Sequence, residues 1–175
     1  MRDLLFFALL AVCLVQALKR PWIGIIGWTF VSIMNPQTLA YGSFRTAPAA
    51  AAIALATLIG VLAVPATEKS FPWRREPIVL MLLMCWYCIT FPFSFSMDTS
   101  FDQLKKVLKI DFMILVALYV LHSRKHIETL DWILVISLGF YGIKGGIFTL
   151  RTGGSFRVWG PPGTYIEGNN ELALA

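Results

Sequence analysis

Apolar and polar residues follow one another along this chain in long blocks rather than in the two-residue rhythm of strands. Blocks of this kind predict helices, near 4–18, 22–34, 47–64, 78–93, 104–121 and 132–150, with another starting at 170. Pro21 suits the first position of the second helix. Asn35-Pro36 ends it, because a residue before proline is pushed off the helical region. That run is short for a bilayer crossing and fits a tilted or partly re-entrant piece. The third block is rich in alanine and holds Gly60, and small residues let helices approach closely in lipid. The one long polar passage is the glycine-rich loop 151–169.

Composition narrows the class. Hydrophobic residues make up 57% of the 175 and charged residues only 14%, against about 25% charged in soluble domains. Mean hydropathy is +0.69. The expected fold is an all-α, polytopic transmembrane helix bundle of about six spanning helices plus the start of a seventh. A β-barrel is disfavoured because the apolar runs are continuous. The net charge of +5 fits anchoring residues at membrane ends better than nucleic-acid binding. Asp3 beside Arg2, and Lys19-Arg20 directly after the first apolar run, argue for a retained helix over a cleaved signal.

Counting Lys and Arg in short loops favours the N-terminus outside. The inner loops then hold Lys19, Arg20, Lys69, Arg74, Arg75, Arg124 and Lys125. The 151–169 loop falls outside. Lys105, Lys106 and Lys109 read as an amphipathic lead-in to the fifth helix, capped by Ser100, with Asp102 and Lys106 spaced i, i+4. The same lysines could touch lipid phosphates. Asp111 lies unusually deep.

Three patterns have a bland reading beside a chemical one. Cys85 and Cys88 form a C-x-x-C, but inside an apolar helix they read as packing residues. His122 and His126 are i, i+4 with no cysteine or carboxylate set nearby, so no metal and no cofactor is expected. Lys144 lies within the glycine-rich apolar run 132–150. A charge there marks function by default, or snorkels to the interface.

The polar loop carries the remaining chemistry. Arg151 and Arg157 suit phosphate, since a guanidinium donates two parallel hydrogen bonds. Gly153, Gly154, Gly160 and Gly163 would let backbone amides approach an anion. Glu167 or Glu171 could accept a proton. Asn169 and Asn170 could bind sugar hydroxyls, or Asn169 could cap the next helix with Glu171 in its first turn. Trp159 and Tyr165 could stack on sugars. An ordinary surface turn has the same composition.

A resemblance sharpens this reading. Arg157-Val-Trp-Gly160 followed by Asn170-Glu-Leu-Ala173 resembles the R-x-x-G…N-x-L-A segment of O-antigen ligases and polymerases. The stretches 17–36, 106–113 and 137–154 extend it, and the chain looks like the N-terminal region of O-glycosylation ligases associated with the exosortase A system. The resemblance implies a multi-pass bacterial inner-membrane glycosyltransferase. It would move a glycan from undecaprenyl diphosphate to a protein, glycan or lipid hydroxyl at the periplasmic face, inverting and without metal. Arg157 falls on the position that holds the diphosphate, with Arg151, Lys144 and Asn170 as further substrate-binding candidates. Asn169-Asn170 replaces the usual Pro-Asn. The family's later periplasmic loop, with its catalytic histidine, is expected beyond Ala175. Membrane lipids are expected partners and nucleic acid is not. Two rivals fit the same residues: a transporter or flippase for lipid-linked or anionic solutes, with Lys144 on its path, and a non-catalytic assembly subunit.

Overall fold

The structure, a computed structural model, describes residues 2–39, 45, 47–63, 75–161, 164 and 166–174. Lys69, Arg74, Gly163 and Tyr165 lie outside the described residues, as does the side chain of Glu171. Among the described residues all regular structure is helical. The α-helices are α1 (Arg2–Lys19), α2 (Pro21–Met34), α3 (Ala49–Ala63), α4 (Arg75–Thr90), α5 (Met97–Val120), α6 (Arg124–Thr152) and α7 (Asn169–Leu174). Single 3-10 turns follow α2 at Pro36–Leu39 and α4 at Phe91–Phe93.

Two spans are long and apolar enough to cross a membrane, Arg75–Phe93 and Arg124–Thr152. Leu4–Lys19, Pro21–Met34 and Ala49–Ala63 are apolar but shorter. The outer surface is apolar: Leu62 is 84% exposed, and Leu82, Trp86 and Ile143 each exceed 60%. Of α4 only Pro77 is buried. Water would not stabilise such a surface, whereas hydrocarbon would.

α2 is the hub, packing on α1, α3, α5 and α6. Its ends show how the helices alternate. At its start Trp22 stacks on His126 of α6, ring centroids 4.3 Å apart. At its end the Tyr141 hydroxyl of α6 donates to the Met34 carbonyl at 2.8 Å. α2 and α6 therefore run the same way. Asn35 takes a left-handed conformation (φ 42) and its amide closes α2 onto Val31. This stops the helix where the Asn-Pro pair predicts.

The three short helices are held by close backbone approach. A side chain at Gly60 would meet the Ala17 carbonyl oxygen at 2.5 Å and the Leu18 carbonyl at 3.0 Å. One at Gly24 would overlap the Thr57 hydroxyl. Thr57 and Thr29, both buried, turn their hydroxyls back to the carbonyls of Ile53 and Ile25. Neither brings an unpaired polar group into the seam. A separate apolar cluster joins Ile25 of α2 to Met113 and Val116 of α5.

Several expected boundaries move. α6 starts eight residues before the apolar run at 132, because Ser123 is extended (φ −86, ψ 138) and its carbonyl accepts the amides of His126 and Ile127. Arg124 then pairs with Glu128 at 2.8 Å, one turn on. α5 starts at Met97, so Ser100 is already helical and its hydroxyl bonds that of Ser94. Asp102 pairs with Lys105 at 2.8 Å, not with Lys106. His122 lies in the α5–α6 linker, so the two histidines do not share a helical turn.

The seam makes a direct prediction. Gly60→Ala forces α1 and α3 apart and should cost about 1–3 kcal/mol. Gly142→Ala, with open space around it, should be neutral or slightly stabilising. Thermal unfolding of the two variants in one detergent checks the difference.

Candidate functional site

The polar loop owes its shape to how α6 ends. Gly153 and Gly154 both have positive φ (61 and 77), which glycine adopts without strain. Both their amides donate to the Thr149 carbonyl. The loop then folds back on itself between Gly160 and Glu167, where the Gly160 amide donates to the Glu167 carbonyl at 2.9 Å. A side chain at Gly160 would overlap the Ile166 carbonyl. Thr164 closes the inside of this turn, its hydroxyl donating to the Pro161 carbonyl at 2.7 Å. Pro161, Thr164 and Ile166 are buried.

These bonds correct the expected anion cradle. The amides of Gly153 and Gly154 are spent on the Thr149 carbonyl of α6, and that of Gly160 on the loop's own Glu167 carbonyl. Glycine is present for left-handed φ and for close approach, not to free an amide. Asn169 is not a cap either. It is the first residue of α7, and the Gly168 carbonyl takes the amide of Leu172.

Two contacts dock the folded loop onto the helices. Val158 packs on Gly145, where a Cβ would come within 2.9 Å of its Cγ1. Lys106 of α5 donates from Nζ to the Thr164 carbonyl at 3.0 Å, across 58 residues of chain. The first contact places Arg157 and Trp159 beside α6. The result is a cleft of about 240 Å³ between α6, the loop and α7. Tyr141, Lys144 and Phe148 line one wall, Arg157 and Trp159 another, and Leu172 closes it.

Lys144 and Arg157 thus share a site. Both are exposed, and among the described residues neither has an ion-pair or hydrogen-bond partner. Two cations brought together without a carboxylate repel one another, and an anion between them relieves this. Tyr141 and Trp159 also line the cleft, so its described lining joins two cations with aromatic side chains. Tyr141 also links the site to α2 through the Met34 carbonyl.

The other candidates sit elsewhere. Arg151 is in the last turn of α6, where a cation offsets the helix dipole. Arg151, Glu167 and Asn170 are exposed and lie outside the described lining of the cleft. Glu171 adjoins Leu172 in sequence, but its side chain is not described. Tyr141, Phe148 and Leu172 were missed from sequence. Tyr141 and Phe148 lie one turn to either side of Lys144, a spacing that could have flagged them.

An all-helical scaffold with a largely apolar surface and a cleft that joins two unpaired cations is the class these observations define. The chain belongs to a family described as a family of unknown function (DUF5935), whose model matches residues 1–162. The match includes Lys144, Arg157 and Gly160, and it ends before Glu167 and Asn170. No curated protein and no solved structure matches the chain.

The loop contacts are testable. Lys106→Met removes the bond to Thr164, a hydrogen bond from a charged donor. Hydrogen exchange in the loop should then quicken by about tenfold. Lys105→Met, which loses a surface ion pair with Asp102 and a contact with the Phe101 ring but none with the loop, should leave it unchanged.

Proposed function

We propose that this chain is the N-terminal membrane part of an O-antigen-ligase-like glycosyltransferase, multi-pass in a bacterial inner membrane. The observation that carries the reading is the cleft in which Arg157 and Lys144 meet with no counter-ion among the described residues. The Arg157…Gly160 and Asn170…Ala173 pattern adds the resemblance.

The helix directions support six crossings. The ends of α2, α4 and α6 and the starts of α3 and α5 gather on one side with the polar loop. That side is the periplasmic one, as the Lys and Arg distribution favours. Helices shorter than the bilayer fit beside longer ones through local thinning of the membrane.

The donor is a glycan on a polyprenyl diphosphate. In the transfer an acceptor hydroxyl, on a protein, glycan or lipid, bonds to the anomeric carbon. The bond from that carbon to the diphosphate oxygen breaks, and polyprenyl diphosphate leaves with both bonding electrons. The hydroxyl proton passes to a base. Charge builds on the diphosphate as the bond breaks. A guanidinium already fixed in place stabilises that charge more than the ground state. Arg157 has this role, Lys144 adds a second positive charge, and Trp159 and Tyr141 offer faces to a sugar. Glu167 and Glu171 remain candidate proton acceptors, and Arg151 and Asn170 candidate contacts of a larger substrate.

In the intact protein, Arg157→Ala should lower glycan transfer by about 10²–10³-fold while insertion and abundance stay normal. Arg157→Lys keeps the charge but loses the paired geometry, so it should fall between. Transfer is read as glycan moved from the carrier onto the acceptor. Full activity in Arg157→Ala would remove Arg157 from the site. Carrier-linked glycan that crosses vesicles without being consumed would favour transport instead.

A further inference from the structure

The lysines of α5 open onto a different cavity, of about 690 Å³, between α2, α3 and α5. Its lining joins apolar residues, among them Trp28, Ala54, Leu58 and Met113, to polar residues at the end of α2 and to Lys105, Lys106 and Lys109. Asp102 is the one carboxylate among the described lining residues, and it is paired with Lys105. Lys106 uses one of its three N–H donors on Thr164. Lys109 has no partner among the described residues. The mouth of an apolar groove therefore carries an excess of positive charge.

The charges also sit at a particular depth. From Phe112 to Val120 α5 carries no charge, while the three lysines and Asp111 fall within the preceding two turns. That is where the helix passes from polar surroundings to hydrocarbon, the level of lipid headgroups. A free phosphate would leave the apolar wall unused. A protein helix about 10 Å across would fit for less than about two turns in this volume, too little to bind by packing.

We infer that the groove binds an anionic glycerophospholipid of the surrounding bilayer. Its phosphate sits on Lys106 and Lys109, with Lys105 at the rim. One acyl chain runs along Trp28, Ala54, Leu58 and Met113. The site is separate from the Arg157 cleft, so its test needs no transfer assay.

The test uses the intact protein in detergent micelles doped with phosphatidylglycerol or phosphatidylcholine, read by thermal unfolding. Phosphatidylglycerol at about a hundredfold excess over Kd should raise Tm by about 5 °C or more. Phosphatidylcholine should raise it much less. Lys105→Gln with Lys109→Gln should lose most of the shift while Lys106 still holds the loop. Ala54→Trp, which fills the apolar wall, should lose it with every lysine in place. Native mass spectrometry of phosphatidylglycerol retained on wild type and variants gives a second measurement that does not depend on variant stability. Equal shifts from the two lipids, or a phosphatidylglycerol shift that survives both changes, overturns the proposal. So does an equal effect of inorganic phosphate, or displacement of phosphatidylglycerol by equimolar polyprenyl phosphate.

Discussion

The close fit among α1, α2 and α3 is the constraint on which the rest depends. Glycines and threonines line that seam: Gly24 against Thr57, and Gly60 against the backbone of Ala17 and Leu18. Between helices in lipid there is no hydrophobic drive, so contact must come from packing. Only small residues permit it here. Once α2 is fixed, α6 is held at its start and near its middle too, through His126 on Trp22 and Tyr141 on the Met34 carbonyl. α6 in turn presents Lys144 and Gly145, and Gly145 receives Val158 of the loop. The site stands at the end of a chain of contacts that begins in three short helices far from it.

Much of the helical framework was legible because apolar blocks and prolines act locally. The end of α2 at Asn35 followed from one dipeptide. The start of α6 did not, because the stretch 124–131 is helical but charged, and hydropathy marks only the apolar part of a helix. The same limit applies to α5, where Ser100 reads as a cap but Ser94 and Ser96 lie before the real start. Locating a cap needs backbone geometry that residue identity does not carry.

At the site, residue types were legible and their partners were not. Arg157 and Lys144 stood out by charge in unusual surroundings, and they do meet in one cleft. The glycines misled, since an amide near a glycine is free only if no carbonyl has claimed it. The Glu167 carbonyl claims that of Gly160, seven residues away. Lys106 shows the same limit at longer range. Spacing paired it with Asp102, but the fold gives it Thr164, 58 residues on, and leaves Asp102 to Lys105.

Four of the cations on this side of the molecule are not equivalent, and electrostatics separates them. Arg151 lies in the last turn of α6, where unsatisfied carbonyls hold negative charge. Its presence there needs no ligand. Lys105 has Asp102. Lys144 is about two turns inside the helix end, ~12 Å by helical rise, where the dipole contributes little. Arg157 lies on the loop with no carboxylate partner among the described residues. Lys144 and Arg157, like Lys109 of α5, have no ion-pair partner among the described residues, and the Val158–Gly145 contact brings these two into one cleft. Arg124, by contrast, is paired with Glu128 one turn on. Lys144 and Arg157, both exposed, line one cleft with no carboxylate among its described lining residues.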